Sequence, residues 1–524
     1  MTVRTRFAPS PTGFLHIGGV RTALFNYLFA KKHGGQFVLR IDDTDASRNV
    51  VEALAPILHG FKWLGLNWDE GPEVDGPYAP YYQSQRNPKY QSAVDQLLAS
   101  GHAYKDYAKA EELAADRELA EKEKRDNIYD RRFMAVSDAD CDRFESEGRT
   151  ATIRLKMPRE GKCVFVDHVR GSVSVDWARE QDSVIQRPDG SFIYHLATVV
   201  DDEHFQISHV IRAEEHLPNT ARQIFMIDAL GYKRPEYAHI PFVAEPGSKV
   251  KLSKRKLEKY LKNRDFKKLN DHGVSIMEKL GESPDSQLFN PVITDFFERA
   301  GFLPDALVNY LLLLGWSLDD KTEFLNRDEM VEHFSLERVV KAAASFDPLK
   351  LDAFQQHYMN ELDLKKKVAM CLPFLQKANY VATPPPCDIS DYVQSIVIAA
   401  GDRIQIAGDI LDFDDFFVDD QKLIFDEKAF GKRILKPEDA VELLRGLREK
   451  LSGIEQFDIK TTEVVVKSFV EERGIKIGQI INALRVAVTG KGVGFGTFDT
   501  LAILGRDRCL NRIDLAIARA ESAG

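Results

Sequence analysis

The chain has 524 residues, a net charge of −10 and a composition that is 44% hydrophobic and 29% charged, which is ordinary for a globular protein. This length is too great for one hydrophobic core and predicts about three to five domains. The longest apolar run, ALVNYLLLLGW, falls short of the ~20 residues that a membrane span needs, and MTVRTRFAPS lacks the apolar segment of a secretory signal. We therefore expect a cytoplasmic protein with no membrane partner.

The first elements predict a βαβ unit. VRTRFAP has the pattern of a buried strand, and GGVRTALFNYLFAKKHGG that of a helix with apolar residues at positions 20, 23, 24, 27 and 28. QFVLRID is predicted as a second strand. Such a unit normally belongs to a parallel sheet with right-handed crossovers, in which ligands bind beyond the carboxyl ends of the strands. APSPTGFLHIGG and DDTD are therefore both expected at that edge.

The middle of the chain predicts an α+β insertion followed by helices. Residues 105–132 are charge-dense and are predicted to be helical. After them ATIRLKMP, CVFVDHVRGSVSVDW and SVIQRPDGSFIYHLATVVDD alternate as antiparallel strands do, with PDG as a hairpin turn. After HVIRAEE and HIPFVAEPGSKVKLSKRK the pattern is helical, interrupted by a Pro-rich loop at 380–388.

The loop between the first strand and the first helix is suited to close approach of a ligand. Prolines stiffen its path and glycines leave the backbone accessible. These residues are Pro9, Pro11, Gly13, Gly18 and Gly19. His16 lies near a helix start, whose N–H groups favour an anion such as a triphosphate. A single histidine there is more often structural, but KLSKR at 251–255 follows another apolar strand, and the two motifs together favour a phosphate site.

Two further patterns concern partners and metals. Residues 254–268 carry eight basic side chains against two acidic ones, although the net charge alone would argue against nucleic acid. This run is either a nucleic-acid contact or a solvated helix face. The cysteines form no C-x-C or C-x-x-C pair, which argues against a disulfide scaffold and a standard zinc site and favours a reducing compartment. They are Cys141, Cys163, Cys371, Cys387 and Cys509.

FAPSPTGFLHIGGVRTALFNYLFA and KLSKR resemble the two signature motifs of class I aminoacyl-tRNA synthetases. With RIDDTD, YHLATVVDD, HVIRAEEHLPNT and LLLLGWS, they resemble the glutamyl-tRNA synthetases of bacteria and organelles. The resemblance covers most of 1–255, resumes through about 300–350, and is weaker in the tail KIGQIINALRVAVTGKGVGFGTFDTLAILG.

The resemblance implies a Rossmann-like parallel-sheet catalytic domain split by an α+β insertion, followed by helical stem-contact and all-α anticodon-binding domains. The implied boundaries are 1–87 and 190–240 for the catalytic domain, 88–189 for the acceptor-end insertion, 241–348 for the stem-contact domain with the KLSKR loop, and 349–524 for the anticodon-binding region. In the tail, the candidates for phosphate or base contact are Arg403, Arg485, Lys491 and Arg506.

The implied activity is that of a glutamate–tRNA ligase, expected to be a monomer. ATP, with Mg²⁺, converts L-glutamate to glutamyl-adenylate, and the glutamyl group then passes to the 3′-terminal adenosine of tRNA(Glu), leaving AMP and pyrophosphate. Such chemistry needs positioning and charge stabilisation more than acid–base catalysis, and the resemblance assigns His16, Lys251 and Lys254 to it. The implied ATP-binding residues are Pro11, Thr12, Gly13, His16, Gly18, Gly19, Glu215, His216, Val243, Lys251, Leu252, Ser253 and Lys254.

Glutamate differs from glutamine by its charge, so a fixed guanidinium facing the γ-carboxylate is a suitable filter. The resemblance gives that role to Arg212, for which a salt bridge to Glu214 or Glu215 is the structural alternative. The acidic turn would take the α-amino group. The implied glutamate pocket consists of Arg6, Ala8, Ser10, Asp42, Tyr194, Thr198 and Arg212.

The chain departs from the family pattern in a few places. Asp42 stands where relatives commonly have glutamate, and Thr198 where some have asparagine. GHAYKDYA lacks the zinc-binding cysteines that some relatives carry in the insertion, so no structural zinc is expected and the only metal is the Mg²⁺ that accompanies ATP. Residues 256–298, which hold most of the basic run, form a longer connection than is usual in the family.

Two rival functions stay open at this point. A tRNA-modifying glutamyl transferase would share the catalytic half but lack the anticodon-binding half, and the long C-terminal region argues against it. A catalytically silent paralogue would bind tRNA or regulate, and the intact His16, Lys251 and Lys254 argue against that.

Overall fold

The computed structural model describes residues 2–11, 13–44 and 50–523, apart from the side chains of 50–53 and of Lys254. The chain folds into two compact units. The first comprises Met1–Asn270, Asp285–Glu298 and Pro304–Phe354, and the second Asp271–Pro284, Arg299–Leu303 and Gln355–Gly524. The finer division into four domains stays a prediction. No helix in the described ranges combines the length and apolarity needed to cross a membrane.

The first unit holds the strands of the described chain, which form four small sheets. The strands are β1 (Arg4–Phe7), β2 (Gln36–Leu39), β3 (Ala103–Asp106), β4 (Thr152–Leu155), β5 (Lys162–Asp167), β6 (Gly171–Asp176), β7 (Val184–Gln186), β8 (His209–Ala213), β9 (Glu236–Ile240), β10 (Val243–Ala244) and β11 (Ala344–Ser345). They pair in the orders β1–β2, β3–β4–β7, β6–β5–β9–β8 and β10–β11.

Helices make up most of the remaining regular structure. In chain order they are α1 (Ile17–Lys32), α2 (Val50–Trp63), α3 (Asn87–Ala99), α4 (Ala110–Lys122), α5 (Asp138–Ser146), α6 (Tyr194–His204), α7 (Thr220–Leu230), α8 (Leu257–Tyr260), α9 (Arg264–Lys279), α10 (Thr294–Ala300), α11 (Pro304–Leu312), α12 (Arg327–His333), α13 (Pro348–Glu361), α14 (Leu364–Lys377), α15 (Ile389–Ala400), α16 (Glu427–Phe430), α17 (Ala440–Ser452), α18 (Ile459–Glu472), α19 (Ile477–Thr489), α20 (Thr497–Leu504) and α21 (Arg506–Ala523).

The predicted βαβ unit is confirmed. Strands β1 and β2 pair in parallel, and α1 connects them. The side-chain amide of Asn26, in α1, donates to the carbonyl of Ile211 in β8 at 2.9 Å, which fastens the helix to the second parallel pair, β8–β9. The buried surface of α1 extends beyond its apolar residues, since the polar Arg21 and Asn26 are also buried. Its start and the end of β8 consequently lie beside each other.

The insertion expected at 88–189 does not form a separate sheet throughout. Strands β3, β4 and β7 form an antiparallel sheet of their own. The β5–β6 hairpin, however, joins the sheet that contains β8 and β9, through a parallel pairing of Asp167 with Tyr237. The hairpin therefore places residues of the expected insertion in the same sheet as β8 and β9.

The prediction of a strand at YHLATVVDD is wrong, because Tyr194–His204 form the helix α6. Every residue from Leu196 to Asp202 is buried, so the segment has no polar face whose period would reveal a helix. The β-branched Thr198, Val199 and Val200 favour a strand when propensity is considered alone.

The prediction of a helix across 105–132 is correct only in part, since α4 spans Ala110–Lys122. The chain leaves the helical path at Lys124, whose φ is +53°. Beyond it, the Tyr129 hydroxyl donates to Asp106 at 2.6 Å and Arg131 donates to Asp182 at 2.6 Å. These hydrogen bonds hold residues 129–131 against β3 and against the residues just before β7. The helix therefore does not continue to residue 132.

The second unit is helical, and the Pro-rich segment at 380–388 lies between α14 and α15, as predicted. Lys491, a candidate for tRNA contact, is engaged within this unit: its Nζ lies 2.5 Å from Asp414 and 2.7 Å from Asp415. The acidic segment at 409–420 thus has an internal counter-ion. Arg403 lies over the Phe495 ring, at 5.5 Å, and its contact with tRNA stays a prediction.

Candidate active site

A cavity of about 740 Å³ lies at the carboxyl ends of β1 and β8, within the first unit. The two motifs that are more than 200 residues apart in the chain meet in its wall. The predicted site residues that line it are Arg6, Ala8, Ser10, His16, Gly18, Gly19, Asp42, Tyr194, Arg212, Glu215, His216, Val243, Lys251, Leu252 and Ser253.

The structure does not bring every predicted residue into this wall. Pro11 and Gly13 do not line the cavity, and Thr198 lines a separate void of about 10 Å³. Thr198 lies in α6 and is 2% exposed. Thr12 and the side chain of Lys254 lie outside the described residues.

His16 caps the start of α1. Its Nδ1 accepts a hydrogen bond from the N–H of Gly18 at 2.9 Å, and its carbonyl accepts from Gly19 and Val20. A Cβ at Gly18 would lie 3.1 Å from this Nδ1, so the absence of a side chain there lets the imidazole sit against the first turn. The histidine and the helix N-terminus are thus presented together to the cavity.

The KLSKR segment is tied to the same wall by charge. Lys251 Nζ lies 2.5 Å from Glu215, at the end of β8. Glu245, whose side chain is 1% exposed, pairs with Lys256 at 3.0 Å and also with Lys259. The hydrogen bonds from Lys259 and Lys256 hold the pKa of Glu245 below its usual range. Part of the basic run therefore anchors the segment and is not simply a solvated face.

Arg212 is buried and held by three hydrogen bonds. Nη1 donates to Gln223 at 2.7 Å and Nη2 to Thr220 at 2.9 Å. Nε donates to Nε2 of His239 at 3.0 Å. The alternative of a salt bridge to Glu214 or Glu215 is not what the structure shows.

The carboxylates of Glu214 and Glu215 are paired with other side chains. Glu214 pairs with Arg170, and Glu215 with Lys251. Burial lowers the pKa of Arg212, although Tyr194, Tyr237 and Asp202 oppose this shift. A desolvated guanidinium of this kind is suited to an anionic ligand.

A buried Asp–His pair lies behind Arg212. His239 Nδ1 is 2.6 Å from Oδ2 of Asp167, and both side chains are 0% exposed. The carboxylate requires a proton on Nδ1, so Nε2 carries the lone pair that accepts from Arg212. Burial lowers the pKa of His239, which keeps the ring neutral at pH 7. Sequence patterns gave no signal for this pair, because Asp167 is in the hairpin and His239 in β9.

A network of acids and arginines forms the floor of the cavity. Arg40 Nε lies 2.6 Å from Asp42, and Arg40 Nη1 lies 2.9 Å from Asp202. Arg6 donates to both oxygens of Asp202 at 3.1 Å. Burial raises the pKa of Asp42 to about 6, although Arg40 opposes this shift. A cationic ligand beside Asp42 would therefore stabilise the charged form of this carboxyl group.

Arg21 lines the cavity and was missed in the sequence. Its Nη1 donates to the carbonyl of Pro241 at 2.6 Å, but Nε and Nη2 have no hydrogen-bond partner within the described ranges. Burial lowers the pKa of Arg21 to about 9, opposed by Glu214. Its position in the second turn of α1, five residues after His16, could have suggested it. Arg21, Arg255, Lys256 and Lys251 make this side of the cavity strongly cationic.

Two family descriptions match most of the chain. Residues 2–283 and 288–353 match the tRNA synthetases class I (E and Q), catalytic domain. Residues 366–517 match the anticodon binding domain. The cavity lies at the ends of parallel strands, and a helix N-terminus and a lysine-bearing segment meet in its wall. Together with the helical second unit and these matches, it defines the chain as a class I tRNA synthetase.

Relatives extend over the full length. The glutamate–tRNA ligase of Moorella thermoacetica is 41% identical over 514 residues, or 98% of each chain, and that of Desulforudis audaxviator is 40% identical over 99% of this chain and 96% of the relative. A crystal structure of a glutamate tRNA ligase from Elizabethkingia meningosepticum, in complex with its amino acid, gives a TM-score of 0.82 at 32% identity, covering 99% of both chains. The structure from Elizabethkingia anophelis gives 0.79 at 32% identity, covering 99% and 100%. The chain belongs to the glutamate–tRNA ligases, so the family and fold class that the motifs predict are confirmed.

Proposed function

We propose that this chain activates L-glutamate with ATP and transfers it to the 3′-terminal adenosine of tRNA(Glu). The observation that carries the proposal is one cavity whose wall contains His16, Lys251 and the buried Arg212. The first two suit a triphosphate and the third an acidic side chain. An amino acid and a nucleotide bound in this cavity would have their reacting groups side by side.

Selection of glutamate is assigned to Arg212. A guanidinium has five N–H groups, and three of those of Arg212 are engaged by protein partners. One N–H on each terminal nitrogen is left for a ligand, which matches the two oxygens of a γ-carboxylate. The amide of glutamine would place an NH₂ group against one of these donors and would be rejected.

The α-ammonium group of glutamate is assigned to Asp42. This carboxylate is 9% exposed and bonded to Arg40. A bound ammonium would add a second positive neighbour and favour its charged form. Arg6, held by Asp202, and Tyr194 complete the proposed pocket.

The phosphates of ATP are assigned to the start of α1 and the lysine segment. The residues fit such a ligand because His16 and Lys251 line the cavity here, and because Nε and Nη2 of the buried Arg21 have no hydrogen-bond partner within the described ranges. Bound Mg²⁺ would supply charge neutralisation to the phosphate oxygens. His16, Lys251 and Lys254 are proposed to stabilise the charge that builds on the α-phosphate as the glutamate carboxylate attacks and pyrophosphate leaves.

Three further expectations concern the tRNA partner, the cellular location and the oligomeric state. The match of 366–517 to an anticodon binding domain supports tRNA(Glu) as partner and is the part that a tRNA-modifying transferase would lack. The free state of all five cysteines supports the cytoplasm as location. The monomeric state stays a prediction.

Aminoacylation tests the proposed function directly. The full chain is incubated with labelled glutamate, ATP, Mg²⁺ and transcripts of tRNA(Glu), and of tRNA(Gln) in parallel. We expect alkali-labile glutamyl-tRNA that depends on the anticodon, with AMP and pyrophosphate as products. An alkali-stable product would indicate tRNA modification, and no product would indicate a silent paralogue; either result would overturn the proposal.

A further inference from the structure

Three side chains from neighbouring strands meet at the amino-terminal edge of the four-stranded sheet. His209 is the first residue of β8, Glu236 the first of β9, and His168 follows the last residue of β5. One ligand atom from each lies within 4.8 Å of the others. Arg212 lies three residues further along β8, at the opposite end of the strand. The cluster is thus separate from the cavity.

Sheet hydrogen bonds fix the positions of the three residues. His209 and Glu236 are register partners in the parallel pairing of β8 and β9. The N–H of His168 donates to the carbonyl of Tyr237 at 2.9 Å. The cluster is therefore held by the backbone of three strands and does not depend on a loop conformation.

Glu236 faces both rings through one oxygen. Its Oε2 lies 2.6 Å from Nε2 of His168 and 3.6 Å from Nε2 of His209. The first distance is a hydrogen bond, and the second is too long for one. The two imidazoles and the carboxylate thus converge on one point at the surface.

Ser208 orients the ring of His209. The Ser208 hydroxyl accepts from the N–H of Arg4 at 2.8 Å and lies 3.1 Å from the carbonyl of Arg4. Its Oγ also lies 2.8 Å from Nδ1 of His209, which leaves Nε2 of the ring directed toward Glu236. With its proton on Nδ1, this ring presents the lone pair of Nε2 to a metal ion beside Glu236.

We propose that His168, His209 and Glu236 bind a divalent transition metal of the zinc type. Two imidazole nitrogens and a carboxylate oxygen are a donor set that Zn²⁺ accepts, with water completing the coordination. Mg²⁺ and Ca²⁺ prefer oxygen ligands alone and suit the site poorly. The bond from Nδ1 of His209 to Ser208 is the kind of outer hydrogen bond that orients a metal-bound histidine.

The metal would cross-link the β5–β6 hairpin to β8 and β9 at the edge away from the cavity. Other charged groups near the cluster are His33, whose ring packs on Phe29 with that of His209, and Glu337, which interacts electrostatically with His168. The sequence-based expectation of no structural zinc rested on cysteine spacing. Ligands at 168, 209 and 236 form no sequence motif, because sheet order alone brings them together.

Zinc binding by the full chain tests the proposal. The protein is stripped with chelator and titrated with ZnCl₂ by calorimetry, with MgCl₂ and CaCl₂ in parallel, and its melting midpoint is recorded. We expect one Zn²⁺ per chain, a higher melting midpoint with zinc, and an affinity at least about tenfold lower in H168Q and in E236Q. The matched control is H59Q, since His59 and Glu298 form a surface pair at 2.7 Å with only one histidine.

The outcomes separate a metal site from a simple His–Glu ion pair. Glutamylation of tRNA should be unchanged in H168Q and E236Q, since neither residue lines the cavity. Unaltered zinc affinity in both variants would place the bound metal elsewhere and overturn the proposal, as would the lack of any zinc binding by the unmodified chain. Absorption of bound Co²⁺, lost in the two variants and kept in H59Q, would support the assigned ligands independently of stability.

Discussion

The Nε–H of Arg212 donates to Nε2 of His239 at 3.0 Å, and this imidazole is fixed in turn by Asp167 at 2.6 Å. The guanidinium assigned to glutamate selection is therefore positioned by a neutral, buried histidine. The carboxylate that sets the tautomer comes from the hairpin of the expected insertion. If Arg212 selects glutamate as proposed, specificity for the amino acid depends on packing between the two parts of the first unit.

Two replacements of His239 separate its roles. Glutamine can place an acceptor near the position of Nε2, whereas asparagine reaches only the position of Nδ1 and leaves the Nε–H of Arg212 without an acceptor. We expect KM for glutamate to rise about tenfold or more in H239N and clearly less in H239Q, since small misplacements of a binding group cost up to about 10²-fold. ATP–pyrophosphate exchange with tRNA present measures this. Equal KM values in two natively folded variants would contradict the positioning role.

Arg212 itself should determine recognition of the γ-carboxylate. Replacement by Gln or Cys removes two charge-assisted hydrogen bonds to that group, so kcat/KM for glutamate should fall by about 10²-fold or more. R234Q is the control, because Arg234 is exposed, pairs with Asp228 and lies outside the cavity wall. If glutamate kinetics are unchanged in R212Q, the selecting residue lies elsewhere.

Asp42 predicts a pH dependence of glutamate binding. Its pKa is raised by burial to about 6, so the carboxylate gains a proton as the pH falls below 6 and loses its attraction for the α-ammonium group. KM for glutamate should therefore rise by about tenfold per pH unit below 6. D42N should have a high KM at pH 7 that changes little down to pH 5. A wild-type KM that is constant from pH 7 to 5 would refute the assignment.

The same shift also predicts a pH dependence of stability, with the opposite sign from that of an acid whose pKa is lowered in the folded chain. The folded chain holds the Asp42 proton more tightly than the unfolded chain, so this group's contribution to the unfolding free energy falls as the pH rises from about 4 to about 6. D42N should remove that part of the pH dependence of the melting midpoint. A midpoint profile identical to that of the wild type would count against the raised pKa.

The lysines of KLSKR should act on the chemical step. Replacing Lys251 or Lys254 by Ala should lower the rate of ATP–pyrophosphate exchange by about 10²–10³-fold, because a donor to the developing phosphate charge is lost. K249A is a matched control from the same segment, as Lys249 is exposed and does not line the cavity. Near-normal exchange in K254A, with the fold intact, would exclude its catalytic role.

The Arg86–Asp201 pair should dominate the stability of the first unit's interior. Both side chains are 0% exposed, and Nε lies 2.5 Å from Oδ1. R86M removes the nearer of two counter-ions of Asp201, since Nε of Arg40 also lies 3.8 Å from its Oδ2, and should cost up to about 3–5 kcal/mol, seen as a lower melting midpoint. R125M is the comparison, since the exposed Arg125–Glu123 pair should contribute less than about 1 kcal/mol. Similar midpoints for both variants would contradict this ranking.

The sequence by itself determined the βαβ unit, the His16 loop, the KLSKR segment and the family. These features are local, because apolar periodicity, turn residues and short motifs can be interpreted without knowledge of the rest of the chain. The same reasoning failed for Tyr194–His204, because a helix buried on all sides has no periodic signal.

The tertiary structure decided which side chains meet. The contact of Arg212 with His239 and the cluster of His168, His209 and Glu236 depend on the strand order β6–β5–β9–β8, and the raised pKa of Asp42 depends on its burial. Residues that are far apart in the chain become neighbours across strands about 5 Å apart, and burial then sets their charge states. Neither sheet order nor desolvation is a property of any short segment, so neither could be obtained from the sequence pattern.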